Sequence, residues 1–290
     1  MLGMGRLRAF LSHLLQPEGP KLSVPDPARA GNRPKSCPRL DLSGKVALVT
    51  GGSGVLGRVI ARTLGTCGAD VAVHYFSGRA RAEEVRDDLL GLGVRACAVA
   101  ADVASVDSVA AMREAIAREL GPVDVLVTNA VEWNAKKTIL DQSIEAFERS
   151  HRSCVLQNVI AAKAFVPSMI ERHWGRIIGI SSEVAMQALP ATADYTSGKR
   201  GMSGVLRVLA REVGAHEITV NEVAPGWIIT DQDREWANQR NPEYEERVPM
   251  KRRGFDQDVA NAVAFLASDL AAFISGVYLP VCGGNVMPGI

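Results

Sequence analysis

Short runs of Val, Ile and Ala alternate with longer, more polar segments from Lys45 onward, and this alternation restricts the chain to few folds. The short runs are bounded by Gly, Asp or Asn, as expected of strands that are buried on both faces. Strands that alternate with helices need crossover connections, which produce a parallel sheet with helices on both sides. We therefore predict a doubly wound α/β domain with seven strands, at residues 46–49, 71–74, 96–99, 123–127, 176–180, 219–223 and 277–281.

The predicted helices include residues 58–64, 83–90, 105–120, 147–171 and 197–213, and the domain is expected at residues 41–290. The first 40 residues differ in composition: residues 1–16 carry Arg6 and Arg8 without an acid, and residues 17–38 are rich in Pro. Such a stretch is typical of an organelle transit peptide, and also of a flexible tail or a short surface helix. We favour the tail and a cytoplasmic protein; a transit peptide would place the domain in an organelle matrix.

Composition excludes several kinds of partner. The net charge of +1 and the aromatic content of 5% provide neither the basic surface nor the stacking rings that nucleic-acid binding requires. The five cysteines are scattered and form no C-x-x-C pair, which argues against a zinc site or a disulfide framework and fits a reducing compartment. No uncharged apolar run approaches the roughly 18 residues of a membrane span. We therefore expect a soluble protein without metal, nucleic acid or membrane span.

A glycine-rich segment follows the first predicted strand and precedes the first helix. Glycines at such a turn allow a tight bend close to a pyrophosphate, and the helix N-terminus offers unpaired N–H groups to the anion. Glycines alone are weak evidence, but their position at the opening of a βαβ unit favours a dinucleotide site. The predicted binding residues of this loop are Thr50, Gly51, Ser53, Gly54, Val55, Leu56 and Gly57.

The end of the second strand selects the form of the nucleotide. An acidic residue there would hydrogen-bond the ribose hydroxyls of NAD, but residues 74–82 contain no acid, and Glu83 is the first one after the strand. Ser77, Arg79 and Arg81 instead offer a hydroxyl and two cations to a 2′-phosphate. We predict NADP(H), with NAD(H) as the alternative if these arginines only face solvent at the start of a helix.

Three side chains with complementary chemistry follow the fifth strand. Tyr195 and Lys199 are four residues apart and therefore share a helix face. A phenol, with a pKa of about 10 in water, is a weak acid at neutral pH, and a neighbouring ammonium group stabilises its phenolate. Ser182, at the carboxyl end of the strand, is placed to hydrogen-bond a substrate carbonyl oxygen. Together with the nucleotide loop, the three residues predict a carbonyl reduction with Tyr195 as proton donor and Lys199 as its partner.

From Asp41 to about Gly284 the chain resembles a short-chain dehydrogenase/reductase of the classical type, and it is most similar to 3-oxoacyl-[acyl-carrier-protein] reductases. The resemblance rests on the glycine loop, on Ser182 with Y-x-x-x-K, on Asn129-Ala130 and on P-G-x-x-x-T at residues 225–230. It implies a single-domain Rossmann fold that assembles as a homotetramer or homodimer through its long helices and its last strand. It also implies cofactor contacts from Asp102, Val103, Asn129, Ala130, Tyr195, Lys199, Pro225, Gly226, Ile228 and Thr230.

Four positions depart from the pattern of that family. Val55 stands at the middle glycine of the loop, and the family's N-N-A-G reads Thr128-Asn129-Ala130-Val131. Cys154 takes the position of a fourth catalytic residue, an Asn whose main-chain carbonyl helps to hold a water that links the lysine to solvent. The departure implies a slowed or re-routed proton relay, unless Asn158 compensates. The same departures favour a rival hypothesis, a redox-sensing or scaffold protein that binds nucleotide without turnover.

The substrate pocket is expected between residues 184–193 and 227–250. Trp227, Trp236, Tyr244 and Met186 make it partly apolar, although they can equally pack against one another. An acyl chain on an acidic carrier protein is one predicted substrate, because Arg172, His173, His216, Lys136 and Lys137 offer a basic surface. A sugar, a polyol or a steroid ketone is an alternative small-molecule substrate.

Overall fold

The structure is a computed structural model in which residues 40–230 and 241–289 are described. The predictions for residues 1–39 and for Trp236 therefore fall outside the described part of the chain. Residues 40–230 and 241–289 contain the seven-stranded sheet and the candidate site discussed below.

All seven predicted strands are confirmed. They are β1 (Val46–Val49), β2 (Asp70–Tyr75), β3 (Ala96–Ala100), β4 (Val125–Thr128), β5 (Gly175–Ile180), β6 (Ile218–Pro225) and β9 (Tyr278–Val281). They form one parallel sheet in the order β3-β2-β1-β4-β5-β6-β9. Two short strands that the sequence pattern did not predict, β7 (Ile228–Ile229) and β8 (Gly254–Phe255), pair with each other beside this sheet.

The helices lie between the strands, as predicted. They are α1 (Val55–Thr66), α2 (Arg79–Gly91), α3 (Val106–Glu119), α4 (Ile144–His151), α5 (Gln157–Arg172), α6 (Val184–Gln187), α7 (Ala193–Val213), α8 (Pro242–Arg247) and α9 (Asp256–Ala267). The helix predicted at residues 147–171 corresponds to α4 and α5, which follow each other in one continuous helical stretch. A π-helical turn at Arg152–Leu156 separates the two. The π turn widens the helix next to the candidate site.

The sheet separates two hydrophobic layers, because successive strand residues point to opposite faces. Ala47 and Val49 of β1 pack in the layer that contains α1, α2 and α9. Val46 and Leu48 pack in the layer that contains α3, α5 and α7. From β1 the sheet continues to β2 on one side and to β4 on the other, so a crevice opens beyond the carboxyl ends of β1 and β4.

The stretch Ile144–Arg172 is long and apolar enough, by composition, to cross a membrane. Half of its most apolar window is buried inside the fold, where Phe165 and Met169 belong to the hydrophobic layer with α3 and α7. A core helix of an α/β domain passes the same test of length and hydropathy. The stretch is therefore a core element of this domain.

Candidate active site

A cavity of about 1230 Å³ lies at the carboxyl ends of the parallel strands. It brings together most of the residues predicted from the sequence: Gly51, Ser53, Gly54, Val55, Leu56, Gly57, Ser77, Asn129, Ala130, Ser182, Tyr195, Lys199, Pro225, Gly226, Ile228 and Thr230. Four other predicted residues, Thr50, Arg79, Asp102 and Val103, do not line it. The cavity thus extends from the glycine loop to the three candidate catalytic side chains.

Ser182, Tyr195 and Lys199 approach the cavity from two elements. Ser182 follows β5, and its Oγ accepts a hydrogen bond from the Val184 amide at 3.3 Å, so the hydroxyl proton is available to a substrate. Tyr195 and Lys199 lie in the first two turns of α7, with the Lys199 ammonium nitrogen 5.6 Å from the centroid of the Tyr195 ring. Lys199 is 2% exposed and donates to the main-chain carbonyl of Ile180 at 2.6 Å. The three side chains therefore converge where parallel α/β folds bind ligands.

The loop after β1 fits a dinucleotide, because its glycines leave room that any side chain would fill. Gly51 has a φ of +61°, and a Cβ on Gly57 would lie 2.1 Å from the Gly51 carbonyl oxygen. Helix α1 begins at Val55, with Gly54 as its N-cap. Val55, which departs from the family pattern, occupies the first helical position, where its side chain lines the cavity without blocking the loop's turn.

Thr50 acts behind the loop and not on the cavity wall. It is 1% exposed, and its Oγ1 accepts hydrogen bonds from the amides of Asn129 and Ala130 at 2.9 and 3.0 Å. Asn129 returns the contact through its Nδ2, which donates to the carbonyls of Thr50 and Gly51 at 2.9 and 3.2 Å. Thr50 thus joins the loop after β1 to the loop after β4, and its predicted contact with the cofactor stays a prediction.

Only two of the three residues predicted to hold the 2′-phosphate face the cavity. Ser77 and Arg81 line the cavity. Arg79 is exposed, and its Nε donates to the Glu83 carboxylate one helical turn away at 2.9 Å, so its charge is already paired. Residues of helix α2 separated by two positions point in different directions, which is why Arg81 faces the cavity while Arg79 does not.

Asp102 and Val103 lie after β3, away from the cavity lining. The Asp102 carboxylate accepts a hydrogen bond from the Ala104 amide at 2.8 Å, and the Asp102 amide donates one to the Ser108 hydroxyl oxygen at 2.9 Å. The N-cap of α3 is Ser105, whose Oγ accepts from the Ser108 amide. Asp102 therefore orders the turn before α3, and its predicted contact with the cofactor stays a prediction.

Cys154 lies inside the π turn and is completely buried. Its main-chain carbonyl accepts a hydrogen bond from Asn158 Nδ2 at 2.7 Å, and Asn158 Oδ1 in turn accepts from the Thr128 hydroxyl at 2.7 Å. A π turn frees carbonyls that an α-helix would satisfy, and Gln157 likewise donates to the carbonyl of Ser153. Asn158 therefore supports the distorted helix turn at Cys154.

Replacing Cys154 with asparagine should change kcat and its pH profile if the proton relay behind Lys199 is slowed or re-routed in this chain. The larger amide would compete with Asn158 in a site where Cys154 Cβ is already 3.2 Å from the position of a Cβ on Gly198. Cys154→Ser is the matched control, because it replaces only the sulfur atom with oxygen and introduces no amide. A Cys154→Asn protein whose rate and pH profile equal those of the parent would contradict the altered relay.

Trp133, which no sequence motif indicated, is 67% exposed and forms part of the cavity wall. Its ring stacks on the Tyr195 ring, with centroids 4.7 Å apart and planes inclined by 19°. The neighbouring Asn134 donates to the Asp194 carboxylate at 2.9 Å and accepts from the Arg149 guanidinium. The loop after β4 is thus fastened to the start of α7, and Trp133 covers one face of the candidate proton donor.

The opposite wall is held by a buried carboxylate. Glu183 is 4% exposed; it accepts from the Tyr244 hydroxyl at 2.9 Å and from Asn285 Nδ2 at 3.0 Å. The Tyr244 hydroxyl also accepts from the Trp227 amide at 2.8 Å, and the two rings meet edge to face. Burial raises the pKa of Glu183 and, as the largest cause, raises that of Tyr244 to about 12. Trp227 and Tyr244 therefore do both things expected of them: they pack together and line the cavity.

The basic surface predicted for an acidic carrier is only partly available. Arg172 forms an ion pair with Asp124 and donates to the Val123 carbonyl at 2.8 Å. Arg172, His173 and His216 precede β5 and β6, so within one subunit they lie at the edge of the sheet opposite to the cavity. Lys136, by contrast, is on the cavity wall.

Known proteins with similar sequences match most of the chain. The family model described as enoyl-(acyl carrier protein) reductase matches residues 53–285. The 3-oxoacyl-[acyl-carrier-protein] reductase FabG of Escherichia coli K12 is 38% identical over 250 residues, which cover 86% of this chain and 100% of that protein. FabG of a Staphylococcus epidermidis strain is 36% identical over 249 residues, 84% of this chain and 99% of that protein.

A solved structure shows the same architecture in an enzyme of another name. It is a 7α-hydroxysteroid dehydrogenase complexed with NADH and 7-oxo glycochenodeoxycholic acid, with a TM-score of 0.78 and 33% identity. The match covers 86% of this chain and 97% of the other. With the parallel sheet, the glycine loop and the Ser182, Tyr195 and Lys199 arrangement, these matches identify the chain as a classical short-chain dehydrogenase/reductase related to the FabG reductases, an NAD(P)-dependent oxidoreductase that acts on CH–OH groups and reduces carbonyls.

Proposed function

We propose that the protein uses NADPH to reduce a ketone to a secondary alcohol, with Ser182, Tyr195 and Lys199 as the catalytic residues. The observation that carries this proposal is the single cavity that joins these side chains to the loop at residues 51–57. The reduced nicotinamide supplies the hydride when it is bound. Everything else in the reaction depends on how the protein holds the carbonyl oxygen and delivers one proton to it.

Each of the three side chains has a separate task. The Ser182 hydroxyl donates to the carbonyl oxygen, since its own oxygen already accepts from the Val184 amide. The Tyr195 hydroxyl donates to the same oxygen and transfers its proton as negative charge develops there. Lys199 stabilises the resulting phenolate through its nearby positive charge. Its amine also offers protons to the ribose of the cofactor, in addition to the bond to the Ile180 carbonyl.

Two hydroxyl donors on one acceptor are suited to a carbonyl oxygen, and this favours a ketone over a carbon–carbon double bond. The partly apolar wall of Trp133, Leu189 and Trp227 accepts an extended 3-oxoacyl thioester or a cyclic ketone such as a steroid. Among these, we propose the 3-oxoacyl thioester, on the basis of the FabG relatives. A sugar or polyol remains the alternative substrate class.

A substrate panel tests this proposal. The decrease in NADPH absorbance is followed with 3-oxoacyl thioesters, enoyl thioesters, diketones, steroid ketones and sugars. We expect turnover with at least one ketone and none with the enoyl thioesters. NADPH binding without turnover on any member would contradict an enzymatic role and favour the nucleotide-binding sensor or scaffold instead. The departures at Val55, Val131 and Cys154 are the observations in favour of that rival.

The preference for NADPH is proposed to depend on Arg81. Arg81→Ala should raise KM for NADPH about tenfold and leave KM for NADH within about twofold, because it removes one charge-assisted contact to the 2′-phosphate. Arg79→Ala is the matched control: it removes the same charge two residues away, from a side chain that is paired with Glu83 and outside the cavity. Equal losses in both variants, or in neither, would contradict this assignment.

Assembly, partner and compartment complete the proposal. We infer a homotetramer or homodimer that pairs α4–α5, α7 and β9, and a cytoplasmic location consistent with the free cysteines Cys67, Cys97, Cys154 and Cys282. An organelle matrix is the alternative if residues 1–40 act as a transit peptide. A carrier-bound acyl chain is the proposed form of the substrate, with Lys136 on the cavity wall as a basic contact for the carrier.

A further inference from the structure

His74 lies at the end of β2, against the glycine loop, and is 1% exposed. Its Nδ1 is 2.8 Å from the amide nitrogen of Gly51, and its Nε2 is 3.0 Å from the main-chain carbonyl oxygen of Ala101. An amide N–H can only donate and a carbonyl oxygen can only accept. The two contacts therefore require a neutral imidazole that carries its proton on Nε2 and accepts on Nδ1.

The contact with Gly51 is important for the shape of the loop. Gly51 has a positive φ, its carbonyl accepts from the Gly54 amide at 2.9 Å, and that carbonyl is the atom which excludes a side chain from Gly57. The main-chain carbonyl of His74 also accepts from the Gly52 amide at 2.8 Å. His74 thus holds two successive N–H groups of the loop, one through its ring and one through its backbone.

We propose that His74 is the positioning residue of the dinucleotide loop, and that only its neutral ring holds the loop in the conformation that binds the cofactor. The inference rests on the proposed role of residues 51–57. A proton on Nδ1 would point one N–H group at another, which replaces a hydrogen bond by repulsion in a site closed to water. Cofactor affinity therefore falls as His74 becomes protonated.

The surroundings of His74 determine the pH at which cofactor affinity decreases. Burial is the largest influence and lowers the pKa of His74 from its ordinary value of 6.5, while the Ala101 carbonyl and the Asp102 carboxylate oppose it. Asp102 faces the ring from the segment after β3, and the loop at residues 50–57 contributes no ionisable side chain. Since the neutral form is the one that binds, affinity is complete above pH 6.5 and is lost as the pH falls further below it.

Two other effects of pH are separable from this one. The negative charge of a dinucleotide favours a protonated ring, so attraction between the two cannot weaken binding in acid. Protonation of the 2′-phosphate of NADP weakens binding in acid, but it does so equally in any variant of His74. A comparison of variants over the same pH range therefore isolates the ring.

The test is the Kd of NADP⁺, measured by calorimetry between about pH 8 and about pH 5, for the parent protein, His74→Asn and His74→Leu. Asparagine presents an oxygen acceptor and an amide donor at every pH, whereas leucine occupies similar space with neither. At about pH 8 we expect His74→Asn to bind within about threefold of the parent and His74→Leu at least about tenfold more weakly. As the pH falls below 6.5, the parent should lose affinity more steeply than His74→Asn.

Parallel pH profiles for the parent and His74→Asn would overturn the inference, and so would parent-like binding by His74→Leu. If His74→Asn does not fold, imidazole ¹⁵N resonances of the parent give the answer, because a protonated Nδ1 at about pH 8 would exclude the proposed acceptor. Failure of all three proteins to bind NADP⁺ at the upper pH would have a different meaning: it would overturn the proposed cofactor use itself, and this inference with it.

Discussion

Replacing Tyr195 with phenylalanine should lower kcat for ketone reduction by about a thousandfold while NADPH affinity stays within about threefold. The change removes one hydroxyl and keeps the ring, which remains stacked on Trp133 at 4.7 Å. Lys199 keeps its bond to the Ile180 carbonyl, so its support of the cofactor is preserved. What is lost is the proton donor, and a positioned general acid contributes about 10²- to 10⁴-fold to a rate.

The measurement combines steady-state kinetics with a fluorescence titration of NADPH. Tyr75→Phe is the matched control, because Tyr75 at the end of β2 is outside the cavity lining and its loss should leave kcat unchanged. A Tyr195→Phe protein that retains more than about a tenth of the parent kcat would show that another group, or water, supplies the proton.

A methyl group at Gly57 should have the second large effect. In Gly57→Ala the Cβ would lie 2.1 Å from the Gly51 carbonyl oxygen and 2.8 Å from Asn129 Nδ2. The first neighbour is main chain and cannot rotate away, so the loop must move. We expect affinity for NADP(H) to fall by about a hundredfold or more and the free energy of unfolding to decrease by about 1–3 kcal/mol.

Gly91→Ala provides the comparison for Gly57→Ala. Gly91 is the last residue of α2, it is exposed, and a Cβ there would have no neighbour within 4 Å. Alanine should leave cofactor binding unchanged and increase the free energy of unfolding by up to about 1 kcal/mol, since glycine is a poor helix former. Calorimetric titration and thermal unfolding measure both quantities, and normal cofactor binding by Gly57→Ala would contradict the cradle assigned to this loop.

Most of the fold could be predicted because the strands are marked by local sequence. Residues 46–49 and 177–180 are short, mostly apolar runs that are buried on both faces of the sheet. Such a run can be identified as a strand from its own sequence, without knowledge of the strand with which it pairs. The π turn at Arg152–Leu156 had no such mark. Gln157 and Asn158 donate hydrogen bonds to its free carbonyls. Their side-chain oxygens accept from hydroxyl groups on strand β4 and in the loop after β1, which lie far away in the sequence.

The candidate site could be predicted in outline but not in detail. Ser182, Tyr195 and Lys199 belong to a motif whose spacing matches a strand and the helix that follows it. That spacing along the chain was sufficient to predict that the three side chains lie close together. Spacing could not distinguish Arg81 from Arg79, because the choice depends on the direction of each side chain and on Glu83. His74 and Trp133 were missed because their contacts, with Gly51 and with Tyr195, join residues that are distant in sequence. The one indication of His74 in the sequence was its polar side chain near the end of the apolar strand β2.

The central claim, that this chain transfers hydride to a carbonyl with Tyr195 as proton donor, is tested most directly by isotope transfer. The protein is incubated with NADPH that carries deuterium at the transferable position of the nicotinamide, together with the ketone reduced fastest in the panel. Mass spectrometry of the product should find one deuterium on the carbinol carbon with the parent protein, and no labelled product above background with Tyr195→Phe over the same time. Product without the label, or equal labelled product from both proteins, would contradict the account.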